Sequence, residues 1–137
     1  MDKATKWATF PLAGLIAMSA VIPATAHDDV TISICIPYYR GSRCAERGSA
    51  PSYIYGQDVP VKGRINRSHS GTVMVQRRQR RQPWRTVARV ALVERRYRYV
   101  WHTTRDDADQ GTPYKFRAVL ARHDRSRTQK VYILFRE

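Results

Sequence analysis

VPVKGRINRSHSGTVMVQRRQRRQPWRTVARV (residues 59–90), ALVERRYRYVW (91–101) and GTPYKFRAVL (111–120) form the stretch whose reading decides the fold. Apolar residues alternate with polar or basic ones, and turn-forming residues recur between the runs. A period of two broken by turn signals predicts consecutive strands, each with one face in a core. Val59, Val61, Gly63 and Ile65 share a face in the first run. In the next, Val73 and Val75 point inward while Met74, Gln76 and Arg78 point outward. Trp84 and Val87 open the following strand, which Val90 and Leu92 continue. Tyr97, Tyr99 and Trp101 face one way, opposite Arg96, Arg98 and Val100, and rings this large at period two are expected in the core.

The same pattern continues on both sides. Residues 30–36, VTISICI, alternate strictly, with Val30, Ile32, Ile34 and Ile36 on the inner face and Cys35 turned away, and Pro37 ends the run. Residues 38–52 read as a loop carrying Gly41, Cys44, Gly48 and Pro51. Tyr38, Tyr39, Tyr53 and Tyr55 cluster around it beside Arg40, Arg43 and Arg47. At the other end Val131, Ile133 and Phe135 make the last inward row. The expected fold class is all-β, with seven antiparallel strands.

Two patterns carry a resemblance. Gln76 and Arg77 end one strand, a short turn follows, and Trp84, Thr86, Val87 and Ala88 open the next in a Trp-x-x-Val arrangement. Gly111, Tyr114, Phe116, Arg117 and Ala118 match a Gly-x-Tyr-x-(aromatic)-Arg-Ala strand with one extra residue. On these residues the chain, over about 52–136, resembles the small immunoglobulin-like or fibronectin-III-like β-sandwich domains of exported bacterial proteins. The resemblance implies a seven-stranded antiparallel immunoglobulin-like sandwich. It also implies Tyr114 at the tyrosine-corner position, and strands three, six and seven in one sheet. Val93-Glu-Arg-Arg96 stands where such domains carry a Gly-containing turn. A sandwich hosts many unrelated functions, so the resemblance names no ligand.

Residues 1–26 read as a secretory signal peptide. Lys3 and Lys6 give a basic start, residues 10–22 an apolar stretch too short to span a bilayer, and Ala24-Thr25-Ala26 a cleavage site. The expected domains are therefore 1–26 as signal peptide and 27–137 as the β domain. Within the latter, 27–51 supply the first strand and a disulfide loop, and 52–137 the family-like core. No transmembrane segment is expected after cleavage, and the expected location is the cell envelope or the extracellular space. Two cysteines in an exported chain predict a Cys35–Cys44 disulfide. Closing a loop of about 10 residues contributes on the order of 2.7 kcal/mol in the chain-entropy model.

Lys+Arg total 25 against 11 Asp+Glu, a net charge of +14. A domain this basic attracts polyanions. The densest positive run is 76–82, with Arg77, Arg78, Arg80 and Arg81 falling in five positions, and Arg85 close by. These five arginines are a candidate polyanion patch or a solvated hairpin tip that blunts a sheet edge. A second candidate is the outer face of strands three, six and seven. Met74, Val119, Tyr132 and Leu134 would form its apolar strip, and Lys115 and Arg117 part of its cationic border. That face would suit an envelope protein.

Catalysis is not expected. His27, His69, His102 and His123 form no recognisable constellation with the few carboxylates, and no nucleophile sits beside a base. Residues 105–111 make the one acidic cluster, but Arg105 occupies the first position of what would be a calcium loop and no bidentate Glu follows. No cofactor is expected. The rival chemistry is copper, because cleavage after Ala26 would place His27 at the amino terminus, where amine and ring nitrogen chelate together. The expected function is an exported, non-catalytic binding or structural module acting through a basic surface on an envelope protein or anionic polymer, without specific nucleic-acid readout. The alternatives are a copper-binding protein using His27 and a secreted polyanion-binding protein of the antimicrobial kind.

Overall fold

A computed structural model of the chain describes residues 30–67, 71–120 and 124–136. The expected signal peptide, its cleavage site and His27 lie outside the described residues. Among the described residues, no helix is long and apolar enough to cross a membrane.

The described residues are all-β, with seven strands: β1 (Ser52–Ile54), β2 (Asp58–Arg64), β3 (Thr72–Gln79), β4 (Arg85–Ala91), β5 (Arg96–His102), β6 (Asp109–Val119) and β7 (Gln129–Leu134). They form a five-stranded sheet in the order β1-β7-β6-β3-β4 and a two-stranded sheet of β2 and β5. The expected strands three, six and seven are β3, β6 and β7, and they do lie side by side. Period-two alternation sorts their side chains. Val59 and Val61 of β2, Val73 and Val75 of β3, Phe116 and Ala118 of β6, and Val131 and Ile133 of β7 are all fully buried. With Tyr97 and Trp101 of β5 they make one core shared by both sheets. Trp101 closes it, its ring edge-on to Tyr114 at 4.9 Å and tilted on Phe116 at 5.5 Å.

The seven strands are not quite the seven expected. Residues 31–37 run along β2 and hydrogen-bond to it, Ser33 N–H donating to Arg64 O at 2.9 Å, but they pair through the isolated bridges Ile32–Ile65 and Cys35–Lys62 rather than as a continuous ladder. The cause is local to Ser33. Its carbonyl is taken by the Tyr97 hydroxyl at 2.8 Å, so the Arg64 N–H donates instead to Ser33 Oγ at 3.0 Å. Tyr97 reaches that carbonyl across Gly63, its direct partner in the β2–β5 register. Ile32, Ile34 and Ile36 are nevertheless core residues, as their alternation predicts, while Cys35, expected to point away, is also buried. The strand that replaces this one is β1, inside the predicted loop region and just after it. β1 pairs with β7 in parallel, Tyr53 opposite Ile133, so the sheet is not purely antiparallel. A parallel neighbour must come from far along the chain rather than through a tight hairpin, which is why local alternation does not reveal it.

Two further expectations are corrected. Phe135 is 48 % exposed, because β7 ends at Leu134 and the Phe135 N–H turns to Gln110 Oε1. Val119, expected on the outer face, is only 6 % exposed, and the chain folds back beside it through a Val119–Arg125 bridge. The Cys35–Cys44 disulfide is formed. It joins the arms of a small hairpin in which Ala45 N–H donates to Ile36 O at 3.1 Å and Tyr38 N–H to Arg43 O at 3.2 Å.

Candidate anion-binding surface

The run of arginines at residues 77–85 is divided by the pleat. β3 carries Val73, Val75, Arg77 and Gln79 on its inner side, and Met74, Gln76 and Arg78 on its outer side. Arg77 therefore turns over the end of the core, its guanidinium 4.4 Å from the Trp101 ring centroid and 5.7 Å from that of Tyr114. Arg80, in the turn after β3 with a left-handed φ of 55°, pairs with Asp109 at 2.8 Å. Arg81 and Arg85 are exposed. Of the five candidate arginines only Arg78 lies on the outer face of the large sheet.

There it meets the second candidate set. The register places Arg78 opposite Lys115, and Lys115 opposite Lys130. Three cations thus stand in one row across β3, β6 and β7. In the next row Gln76 faces Arg117, and in the third Met74 faces Val119. Directly opposed like charges destabilise a sheet, so this row needs a physical reason. Part of it is Trp84. Trp84 precedes β4, and its ring lies against both guanidinium groups, 4.7 Å from Arg78 and 4.3 Å from Arg117. A cation over an indole face gains about 1 kcal/mol from attraction to the negative face of the ring. Gln76 ties the second row together, accepting from Arg117 Nε at 2.8 Å and donating to Thr86 Oγ1 at 3.3 Å.

The charge itself stays uncompensated. None of the outward residues of β3, of β6 from Lys115 onward, or of β7 is acidic. The buried Nε of Arg78 has no hydrogen-bond acceptor among the described residues. Burial, then the positive charges of Arg125 and Arg78, pull the Arg117 pKa below its ordinary value. It remains a cation, because guanidinium does not deprotonate in proteins. The surface is therefore a fixed set of forked and pointed donors that can donate to phosphate, sulfate or carboxylate oxygens.

The apolar strip expected on this face is broken. Val119 is buried, and Met74, Tyr132 and Leu134 are each half-buried. Among the described residues the exposed large apolar side chains are Tyr38, Tyr39, Val93 and Phe135, and none belongs to the strip. The tyrosine-rich loop is partly structural. Tyr53 is buried with its hydroxyl donating to Pro37 O at 2.6 Å, and Tyr39 packs edge-on to it at 5.5 Å.

Sequence reading missed the part played by Trp84, expected only as the opening residue of a strand. The signal was its position just after an outward arginine across a tight turn. The acidic cluster is occupied by structural work. Asp107 accepts from the Thr104 N–H at 2.8 Å at the start of a 3-10 turn (Arg105–Asp107), and Asp109 accepts from Arg80, Gln79 and the Gly111 N–H. Among the described residues no group of three or more His, Cys, Asp or Glu side chains gathers to hold a metal ion. No protein-family model matches the chain, and no curated protein matches it either.

Proposed function

We propose that this chain is an exported, non-catalytic binding module of immunoglobulin-like sandwich architecture that holds a linear anionic polymer against the outer face of its larger sheet. The observation that carries the reading is the row Arg78, Lys115, Lys130, backed by Trp84 and Arg117 and containing no carboxylate. A like-charge row costs stability in the free protein, and an anionic ligand reverses that sign. The architecture is supported by the strand order and by Tyr114. Its hydroxyl donates to the Asp107 carbonyl at 2.8 Å, the backward hydrogen bond expected of a tyrosine corner. Export is supported by the N-terminal sequence and by the disulfide. Phosphate is the favoured anion, because arginine forks match its oxygens in pairs.

The test is retention on immobilised long-chain polyphosphate across a salt gradient. Binding by counterion release gives a linear fall of log affinity with log salt, with a slope set by the phosphates neutralised. Arg78→Ser, Lys115→Ser and Lys130→Ser together should lower affinity and reduce the slope by about 2–3. Arg80→Ser with Arg81→Ser, at the turn, should change the slope by less than half as much. Equal effects from both sets would mean that the charge acts diffusely and the face is not a site.

A further inference from the structure

The smaller sheet carries a cationic face of its own. In the β2–β5 register Lys62 stands opposite Arg98, and Arg64 opposite Arg96. Val61, Gly63 and Tyr97 point to the core between them, so these four cations point outward. Two directly opposed like-charge pairs in succession are as unfavourable here as on the large sheet. No ion pair relieves them among the described residues. The one acid on this face, Asp58, sits at the far end of β2, where it is held by His102 Nδ1 at 2.7 Å. An open groove of about 660 Å³ runs over the four cations and alongside the Cys35–Cys44 disulfide, and no carboxylate lines it among the described residues.

The two basic faces look away from each other, because the inner faces of both sheets meet in one shared core. Their layout is also alike. Successive outward residues on a strand lie about 6.7 Å apart, and directly opposed residues about 5 Å apart. Each face thus repeats a cation along a strand and across to its neighbour: Lys115 and Arg117 on one side, Lys62 and Arg64 on the other. That is a lattice of charge suited to a chain with an anion in every repeat.

We propose that the groove on the small sheet is a second site for the same phosphate polymer, so that one molecule links two polymer chains. The proposal rests on the reading of the large-sheet face as the first site. Arg64, Arg96 and Arg98 supply forks that take two phosphate oxygens each, and Lys62 adds a point charge. A polymer on one face does not reach the other without turning around the edge of the domain, so two chains occupy the two faces.

Short inorganic polyphosphate of about ten phosphates, too short to wrap the domain, separates the possibilities by stoichiometry in calorimetry. The wild type should bind two per molecule, and long-chain polyphosphate should produce light scattering that rises and then falls as polymer becomes excess. Lys62→Ser, Arg64→Ser, Arg96→Ser and Arg98→Ser together should leave one short chain bound and abolish scattering. The same variant should melt no lower than the wild type, since it removes repulsion. Conversely, the triple variant of Arg78, Lys115 and Lys130 should also bind one. A wild-type stoichiometry of one, or a small-sheet variant that still binds two or still scatters, overturns the second site while the first stands. Absence of any binding by the wild type overturns both. Scattering with heparin but none with polyphosphate overturns the assignment of phosphate as the ligand.

Discussion

Gly63 shows how one residue's lack of a side chain organises a whole sheet edge. A Cβ at this position would collide with the Ser33 carbonyl oxygen and come within 2.7 Å of the Tyr97 ring and hydroxyl. The glycine is what lets Tyr97 cross β2 and bond Ser33. Burial pushes the Tyr97 phenol far above its ordinary pKa, so it stays a donor. Gly63→Ala should destabilise by about 2–4 kcal/mol through overpacking and a lost buried hydrogen bond. Chemical denaturation measures this, and Tyr97→Phe in the Gly63→Ala background should cost little more, because both changes break the same contact. Asp109 links stability to pH. The hydrogen bond from Arg80, then that from the Gly111 N–H, holds its carboxyl below the usual range. A carboxylate with a depressed folded pKa stabilises above its unfolded pKa, and that contribution is lost as the pH falls through the folded value. Asp109→Asn should therefore flatten the acid limb of a melting-temperature profile and leave neutral pH less stable than wild type. An unchanged acid limb would place the titration elsewhere.

Among the elements, the β4–β5 connection departs most from its chemistry. Val93 and Arg96 exchange both backbone hydrogen bonds, 2.9 and 3.0 Å, around Glu94 and Arg95. Those two residues have φ of 51° and 65°, the left-handed geometry of a type I′ turn. The Gly-containing turn of similar domains would fit this geometry, and Glu-Arg adopts it under strain. Replacing Glu94 by Asn and Arg95 by Gly should raise stability by about 1–2 kcal/mol in a urea titration. A fall would show that the two side chains contribute contacts beyond the turn. β4 itself bulges against β3, where Val75 faces Ala88 but Gln76 faces Thr86, leaving Val87 as the extra residue. A bulge re-aims side chains locally, and it places Thr86 within reach of Gln76 just beyond Trp84.

For the whole molecule the dominant quantity is the net charge of +14. Self-repulsion at that charge opposes the compact state, and opposed cations on both outer faces concentrate it. The melting temperature should accordingly rise as salt increases from about 0.01 to about 0.3 M, over which the screening length shortens from roughly 30 Å to below 8 Å. The Arg80–Asp109 pair works the other way, but solvent and salt screen a surface pair, so it offsets little of the repulsion. A melting temperature that falls with salt would mean that attractive pairs outweigh the repulsion.

Local period-two order is legible in residues alone. Val59, Val61, Val73, Val75, Phe116, Val131 and Ile133 alternate with polar neighbours, and the sequence by itself determined their burial and the outward direction of Arg78, Lys115 and Lys130. Two cysteines at short range likewise determined the disulfide. What tertiary structure decided is adjacency. That Arg78 stands beside Lys115, that Trp84 lies over Arg78 and Arg117, that β1 joins β7 in parallel, and that Lys62 faces Arg98 all depend on which strands become neighbours and in what register. Alternation tells a side chain which face to take, but not which strand will pair beside it, because pairing is set by contacts between residues far apart in the chain.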